Sequence, residues 1–106
     1  MDMDKLKHVI QNIVSTAKPK RIVLFGSRAK GTNRPDSDWD FLIIKESDQP
    51  RYLRAAPIRR AIAGLLPAKD IVVYTPEEIA EWENVPNAFV TQILSEGKTL
   101  YEKNEG

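Results

Sequence analysis

Cysteine is absent from this sequence, which removes a disulfide scaffold, a thiolate zinc site and a cysteine nucleophile together. Histidine is almost as scarce. His8 is the single one, it lies off the apolar stripe of its segment, and no second imidazole exists to share a metal with it. A dominant charge is missing too: 16 Lys and Arg against 15 Asp and Glu leave a formal net charge of +1. That is too little for a global field to hold a polyanion, so a nucleic-acid partner would need a local basic patch. Apolar runs never approach the ~20 residues that cross a bilayer. The Met-Asp-Met-Asp start lacks the basic opening and apolar block of a signal peptide. The expectation is a soluble, cytoplasmic protein without a membrane partner. What is present is 106 residues with 42% hydrophobic content. This is enough for one packed domain, residues 1–106, and too little for two.

Helical and extended patterns alternate along the chain. Leu6, Val9, Ile10, Ile13, Val14 and Ala17 recur at helical spacing behind Asp4, a natural N-cap, and Pro19 stops the helix. Arg21 to Phe25 reads as a short buried strand ended by Gly26. Ser27 to Lys30 leaves room for one helical turn, and Gly31 to Ser37 is a loop by composition. Trp39 to Ile44 is a second buried strand. After the polar Ser47–Pro50 connection, Leu53, Ala56, Ile62, Leu65 and Leu66 mark the core positions of a helical stretch in which Pro57 must kink the chain or open its first turn. Asp70 to Tyr74 is a third strand. Thr75-Pro76-Glu77-Glu78 carries a capping box with proline at the first helical position. Phe89, Val90, Ile93 and Leu94 share the face of a last helix closed by Gly97 at C′, and Thr99 to Tyr101 returns as a short edge strand. This order predicts an α/β fold, a small mixed β-sheet covered by helices.

The chemistry is concentrated between Gly26 and Asp40. Gly26 ends a strand where Ser27 opens a helical turn; unpaired amides at such a turn and the missing glycine side chain suit a phosphate. Ser27 adds a hydroxyl, and Arg28 and Lys30 add positive charge. Ser37, closing the loop, joins them as a candidate nucleotide contact. Asp38 and Asp40 stand two apart at a strand start, so both side chains point to one face, while Trp39 points to the other and packs. Paired carboxylates repel unless a cation lies between them, and Mg²⁺ takes oxygen ligands while retaining its substrate's phosphates. Asp70 opens the next apolar strand. If the two strands are neighbours, it lies beside the pair as the third carboxylate of a two-metal site.

Gly-Ser, ten intervening residues and Asp-x-Asp resemble the signature of the DNA polymerase β-like nucleotidyltransferase superfamily. The short length and the Gly26-Ser27-Arg28-Ala29-Lys30-Gly31 opening look like its minimal nucleotidyltransferase branch. The resemblance implies a polymerase β-like fold and Mg²⁺-dependent transfer of a nucleoside monophosphate, AMP from ATP or another NTP, to an acceptor hydroxyl. It assigns Gly26 and Ser27 to the triphosphate and Asp38, Asp40 and Asp70 to the metals and catalysis. Lys30 stands where the family commonly has arginine, which keeps the charge but loses the bidentate fork. Relatives this small are often paired with a helical HEPN-type toxin, for which they serve as antitoxins, some by adenylylating a toxin tyrosine.

Taken singly, each element has a plainer reading: a turn glycine with a capping serine, a solvated strand end, a loop aspartate. Their joint order along alternating strands favours catalysis. A rival from another class is a binding module that neutralises its partner by stoichiometric occlusion; loss of a carboxylate would favour it, and all three are present. Arg51, Arg54, Arg59 and Arg60 read most simply as a solvated helix face, and general nucleic-acid binding is not expected. Trp82 and Tyr101 are the aromatic candidates for a protein contact. Base preference, acceptor and oligomeric state, an oligomer included, stay open at this level.

Overall fold

Proline lacks an amide hydrogen, and Pro19 ends the first helix as its chemistry requires. In a computed structural model, which describes residues 3–66, 68–86 and 88–104, helix α1 covers Met3–Ala17. Leu6, Val9, Ile13 and Ala17 are buried along it, and His8 is exposed. Asp4 falls inside the first turn rather than at the cap, a shift of the sort helix ends commonly show. The first two residues of the acidic start lie outside the described residues.

The remaining elements follow in order: β1 Arg21–Phe25, α2 Ser27–Lys30, β2 Trp39–Ile44, α3 Arg51–Arg54, α4 Ala56–Ala61, β3 Lys69–Tyr74, α5 Pro76–Trp82, α6 Phe89–Glu96 and β4 Lys98–Glu102. The strands form one four-stranded mixed sheet in the order β3-β2-β1-β4. β2 runs antiparallel to β1 and parallel to β3, while β4 closes the far edge antiparallel to β1. A parallel pair needs a crossover, and α3 and α4 supply it.

Both faces of the sheet are covered, so its central strands are nearly continuous in apolar residues rather than alternating. Ile22, Leu24, Trp39, Phe41, Ile43, Ile71 and Val73 pack under α1 and α4. Val23, Leu42, Ile44 and Tyr74 pack against Ile79 of α5 and Val90 and Ile93 of α6. Trp39 is buried on the first face, as expected.

The expected helical stretch after Pro50 is two short helices. Pro57 sits in the first turn of α4, and Ile58, with 1% exposure, is the core residue that Leu53, with 43%, was expected to be. Phe89 also departs from the expected buried face of α6 and is exposed. Gly97 does not adopt the left-handed geometry of a C′ glycine: its φ is −78°. A β-carbon there would lie 2.6 Å from the Ile93 carbonyl oxygen and 2.9 Å from that of Leu24, so glycine is required because the chain passes hard against β1.

The Thr75–Glu78 capping box forms as expected and is drawn into a larger lock. Glu78 Oε1 accepts from the Thr75 amide at 2.8 Å and from Arg54 Nη1 at 2.7 Å. Arg54 also donates to the Gln49 carbonyl at 2.8 Å and the Val73 carbonyl at 3.2 Å. Its side chain is 8% exposed. Of the four arginines expected on a solvated helix face, Arg59 and Arg60 are exposed, but Arg54 ties α3, the end of β3 and the start of α5 together.

The Arg54 hydrogen bond, outweighing partial burial, holds the Glu78 carboxyl down from 4.5 to about 2. A carboxylate with a depressed folded-state value stabilises the fold above its unfolded value and loses that contribution as the pH falls through the folded one. Glu78→Gln should therefore cost about 1–3 kcal/mol at pH 7 in urea unfolding. The gap should narrow as the pH drops from 4.5 toward 2. Equal stability of the two proteins at neutral pH would show that the lock contributes nothing.

Candidate active site

The pairing of the strands brings the candidate residues to one end of the sheet. Because β2 opposes β1, the C-terminal end of β1 meets the N-terminal end of β2, and Phe25 pairs with Asp40. Because β3 runs with β2, its N-terminal end arrives at the same edge, and Asp40 pairs with Asp70. Paired residues on neighbouring strands point to the same side about 4.8 Å apart. Asp40 and Asp70 share the face of Leu42, Val72 and Tyr74, the one carrying α5 and α6. Asp38 precedes the first residue of β2 and is exposed, with its charge near enough to Asp40 to act on that carboxyl.

Gly26 has φ 76° and ψ −159°, a conformation that L side chains rarely adopt. A β-carbon there would collide with Asp40 Oδ2 and lie 3.2 Å from Asp40 Cγ. The glycine therefore does more than open the turn to a ligand: its bare Cα is the wall against which the Asp40 carboxylate rests. Its carbonyl accepts from the Ala29 and Lys30 amides at 3.1 and 3.2 Å, which winds Ser27–Lys30 into the single turn of α2. Ala29 anchors that turn in the core, and Ser27 is half-buried at its head.

Burial raises the Asp40 carboxyl above its ordinary value, and Asp70 and then Asp38 raise it further by like-charge repulsion. Asp38 and Asp70 themselves are exposed. Among the described residues no three acidic, imidazole or thiol side chains stand together so as to hold a metal ion by themselves. The trio stands open at the sheet's end. An open set of oxygen donors in mutual repulsion fits Mg²⁺, which keeps waters and substrate phosphates in its shell and rarely uses an all-protein cage.

The remaining candidates are placed more variously. Arg28 folds back over the loop, with Nε and Nη2 donating to the Ser37 carbonyl at 3.0 and 2.8 Å. Lys30 Nζ lies 3.1 Å from Glu96 Oε2 of α6, at the exposed rim. Ser37 Oγ accepts from the Arg34 amide at 2.8 Å and shapes the turn before Asp38. Tyr101 packs partly buried on the α1 side of the sheet, whereas Trp82 is 44% exposed, with Val85 and Phe89 also exposed nearby in the chain. Phe89 was missed as a site neighbour. Its ring meets Phe25 edge-on at 5.9 Å, and it lines a 120 Å³ hollow together with Gly26. A larger hollow of about 750 Å³, lined by Lys20, Arg21, Ile44, Ile79, Glu102 and Lys103 among others, lies at the opposite end of the sheet. It contains none of the three aspartates, and size without converging chemistry does not make it the active site.

Known proteins resemble the chain in sequence and in fold. Residues 5–106 match the family model described as polymerase beta, nucleotidyltransferase. The chain is 30% identical over 86 residues to Protein adenylyltransferase MntA of Aphanizomenon flos-aquae (strain 2012/KM1/D3). That match covers 79% of the chain and spans 57% of the relative's length. Two solved structures share the fold. One, assigned as a nucleotidyltransferase of Sulfolobus solfataricus, superimposes with a TM-score of 0.67 at 18% identity, covering 97% of this chain and 82% of that one. The other is a toxin–antitoxin structure with AMP-PNP, with a TM-score of 0.65 at 20% identity, covering 98% of this chain and 76% of that one. Among the described residues no helix is long and apolar enough to cross a membrane.

The crowding of Asp40 has a measurable sign. A carboxyl raised in the folded state stabilises the fold when protonated, and that contribution is lost as the pH rises through its folded value. Asp40→Asn should therefore melt a few degrees above the wild type at pH 7, with the gap closing as the pH falls through the raised value toward 3.8. A variant less stable at neutral pH would mean that Asp40 anchors the strand end instead of standing under repulsion.

Proposed function

The chain belongs to the polymerase β nucleotidyltransferase family, and we propose that it transfers AMP from ATP to a hydroxyl on a partner protein. The observation that carries the reading is the seating of Asp40 against the bare Cα of Gly26, with Asp70 in register beside it. One feature thus joins a turn suited to phosphate with a carboxylate set suited to a divalent cation.

In this mechanism the Gly26-Ser27 turn holds the β- and γ-phosphates. Asp38 and Asp40 would hold Mg²⁺, and Asp70 would share a second ion on the acceptor side. The bound ions supply charge neutralisation at the attacking and leaving oxygens. The acceptor hydroxyl attacks the α-phosphorus in line and forms a new P–O bond. The bond to the β-phosphate oxygen breaks, and pyrophosphate leaves. Asp70, exposed on the outer strand of the sheet, stands where an acceptor hydroxyl can approach, and it takes the hydroxyl's proton as the new bond forms.

Similarity to a protein adenylyltransferase supports a protein acceptor, and the fold shared with a toxin–antitoxin structure supports a toxin as that protein. The acceptor in this reading is a tyrosine of a helical HEPN-type toxin, met in the cytoplasm, and the protein acts as its antitoxin. The exposed apolar residues Trp82, Val85 and Phe89 suit a protein contact. They equally favour a second reading, neutralisation by occlusion without chemistry.

Three results separate these readings. EDTA should abolish ATP binding in calorimetry, because a triphosphate is held poorly by carboxylates without a cation between them. Given Mg²⁺ and α-labelled ATP, the wild type should label a co-purifying protein and Asp38→Ala should not. Capture without labelling favours occlusion, and labelled RNA overturns the protein acceptor. Asp70→Asn should lose transfer by orders of magnitude while retaining most ATP affinity. Loss of binding as complete as in Asp38→Asn would overturn the division of roles.

A further inference from the structure

Arg28 stands one residue beyond the phosphate turn, where its charge alone would suggest a phosphate ligand. Its contacts say otherwise. The guanidinium donates through Nε and Nη2 to the carbonyl of Ser37 at 3.0 and 2.8 Å, and through Nη2 to the carbonyl of Pro35 at 3.2 Å. Its Cζ lies 4.1 Å from the centroid of the Trp39 ring. Ser37 immediately precedes Asp38 and Trp39 immediately follows it, so one planar group grips the chain on both sides of the exposed aspartate.

Both ends of the grip are fixed. Arg28 rises from α2, anchored by buried Ala29 and begun by the glycine that touches Asp40. Trp39 is 6% exposed, and its amide donates to the Ala68 carbonyl at 3.0 Å, next to the start of β3. The loop itself is short of internal ties. Ser37 and Arg34 exchange two hydrogen bonds, at 3.0 and 2.8 Å, and residues 31–36 are exposed.

We propose that Arg28 is a positioning residue: it fixes the backbone on either side of Asp38 and so holds that carboxylate in place beside Asp40 for a divalent cation. The inference rests on the cation site of the preceding section. Arginine is required because the same group must offer a fork to one carbonyl and a flat face to an indole, and lysine offers neither.

The sign of the effect distinguishes positioning from charge. Arg28 is positive, so if it acted only through its field, its removal would strengthen the binding of a cation to the nearby aspartates. Positioning gives the reverse. Mn²⁺ binding, followed by water-proton relaxation without nucleotide, should be 10–100-fold weaker in both Arg28→Lys and Arg28→Gln, the loss typical of groups that support metal ligands from behind. Hydrogen exchange should show the Trp39 amide opening in both variants while residues 41–44 keep their protection, which establishes that the sheet is intact. Mn²⁺ affinity that is unchanged in Arg28→Lys, or tighter in Arg28→Gln, would overturn the proposal. So would loss of protection at residues 41–44 in both, since Arg28 would then be holding the fold and not Asp38. Asp38→Asn tests the site separately: if it binds Mn²⁺ as well as the wild type, the cation site fails and this inference with it. A site that loses Mn²⁺ with Asp38→Asn but not with Arg28→Lys overturns only the role of Arg28.

Discussion

The register of β2 is the constraint on which the rest depends. A strand that pairs antiparallel on one side and parallel on the other gathers one C-terminal and two N-terminal strand ends at a single edge. That edge receives Gly26, Asp38, Asp40 and Asp70 from segments that lie up to 44 residues apart in sequence. A slip of one residue in β2 would turn Asp40 to the face of Trp39 and Phe41, where α1 and α4 have filled the space with apolar side chains. The apolar residues 41–44 hold the register by burying on both faces at once. The core therefore fixes where the candidate site lies, although its side chains are not among the candidate residues.

At this end of the sheet the proposed function would work against stability. Asp40, half-buried against the glycine with the charges of Asp70 and Asp38 near it, is raised from its ordinary value, which costs the fold stability at neutral pH. Compensation lies elsewhere. The Arg54–Glu78 pair joins the crossover to α5 at the other end of β3, and its several hydrogen bonds serve the backbone as well as each other. A cation at the open edge would reverse the sign of the local electrostatics and turn three repelling groups into ligands.

Much of this was legible in the sequence. The alternation of helix and strand, the setting of Trp39 in the core and the Thr75–Glu78 cap all follow from periodicity and local hydrogen bonding, and all are present. The adjacency of Asp70 followed once strands two and three were taken as neighbours. What was not legible depends on partners that carry no sequence signal. Arg54 and Arg59 look alike on paper, and only the fold sets one against a glutamate 24 residues away. Arg28 finds backbone carbonyls, which every residue has. Leu53 and Phe89 read as core because their spacing is helical, but α3 is four residues long and Phe89 sits at the first position of α6, so neither is carried inward. Gly97 was expected for its turn and is needed for its closeness to β1.

In the proposed function, this end of the sheet breaks the bond between the α- and β-phosphates and hands the α-phosphoryl group, with its nucleoside, to a hydroxyl. The most direct measurement compares ATP labelled at the α-phosphate with ATP labelled at the γ-phosphate, in the presence of Mg²⁺ and the co-purifying partner. Only the α-label should become covalently attached, with pyrophosphate appearing in equal amount. Transfer of the γ-label, with ADP as the other product, would contradict it.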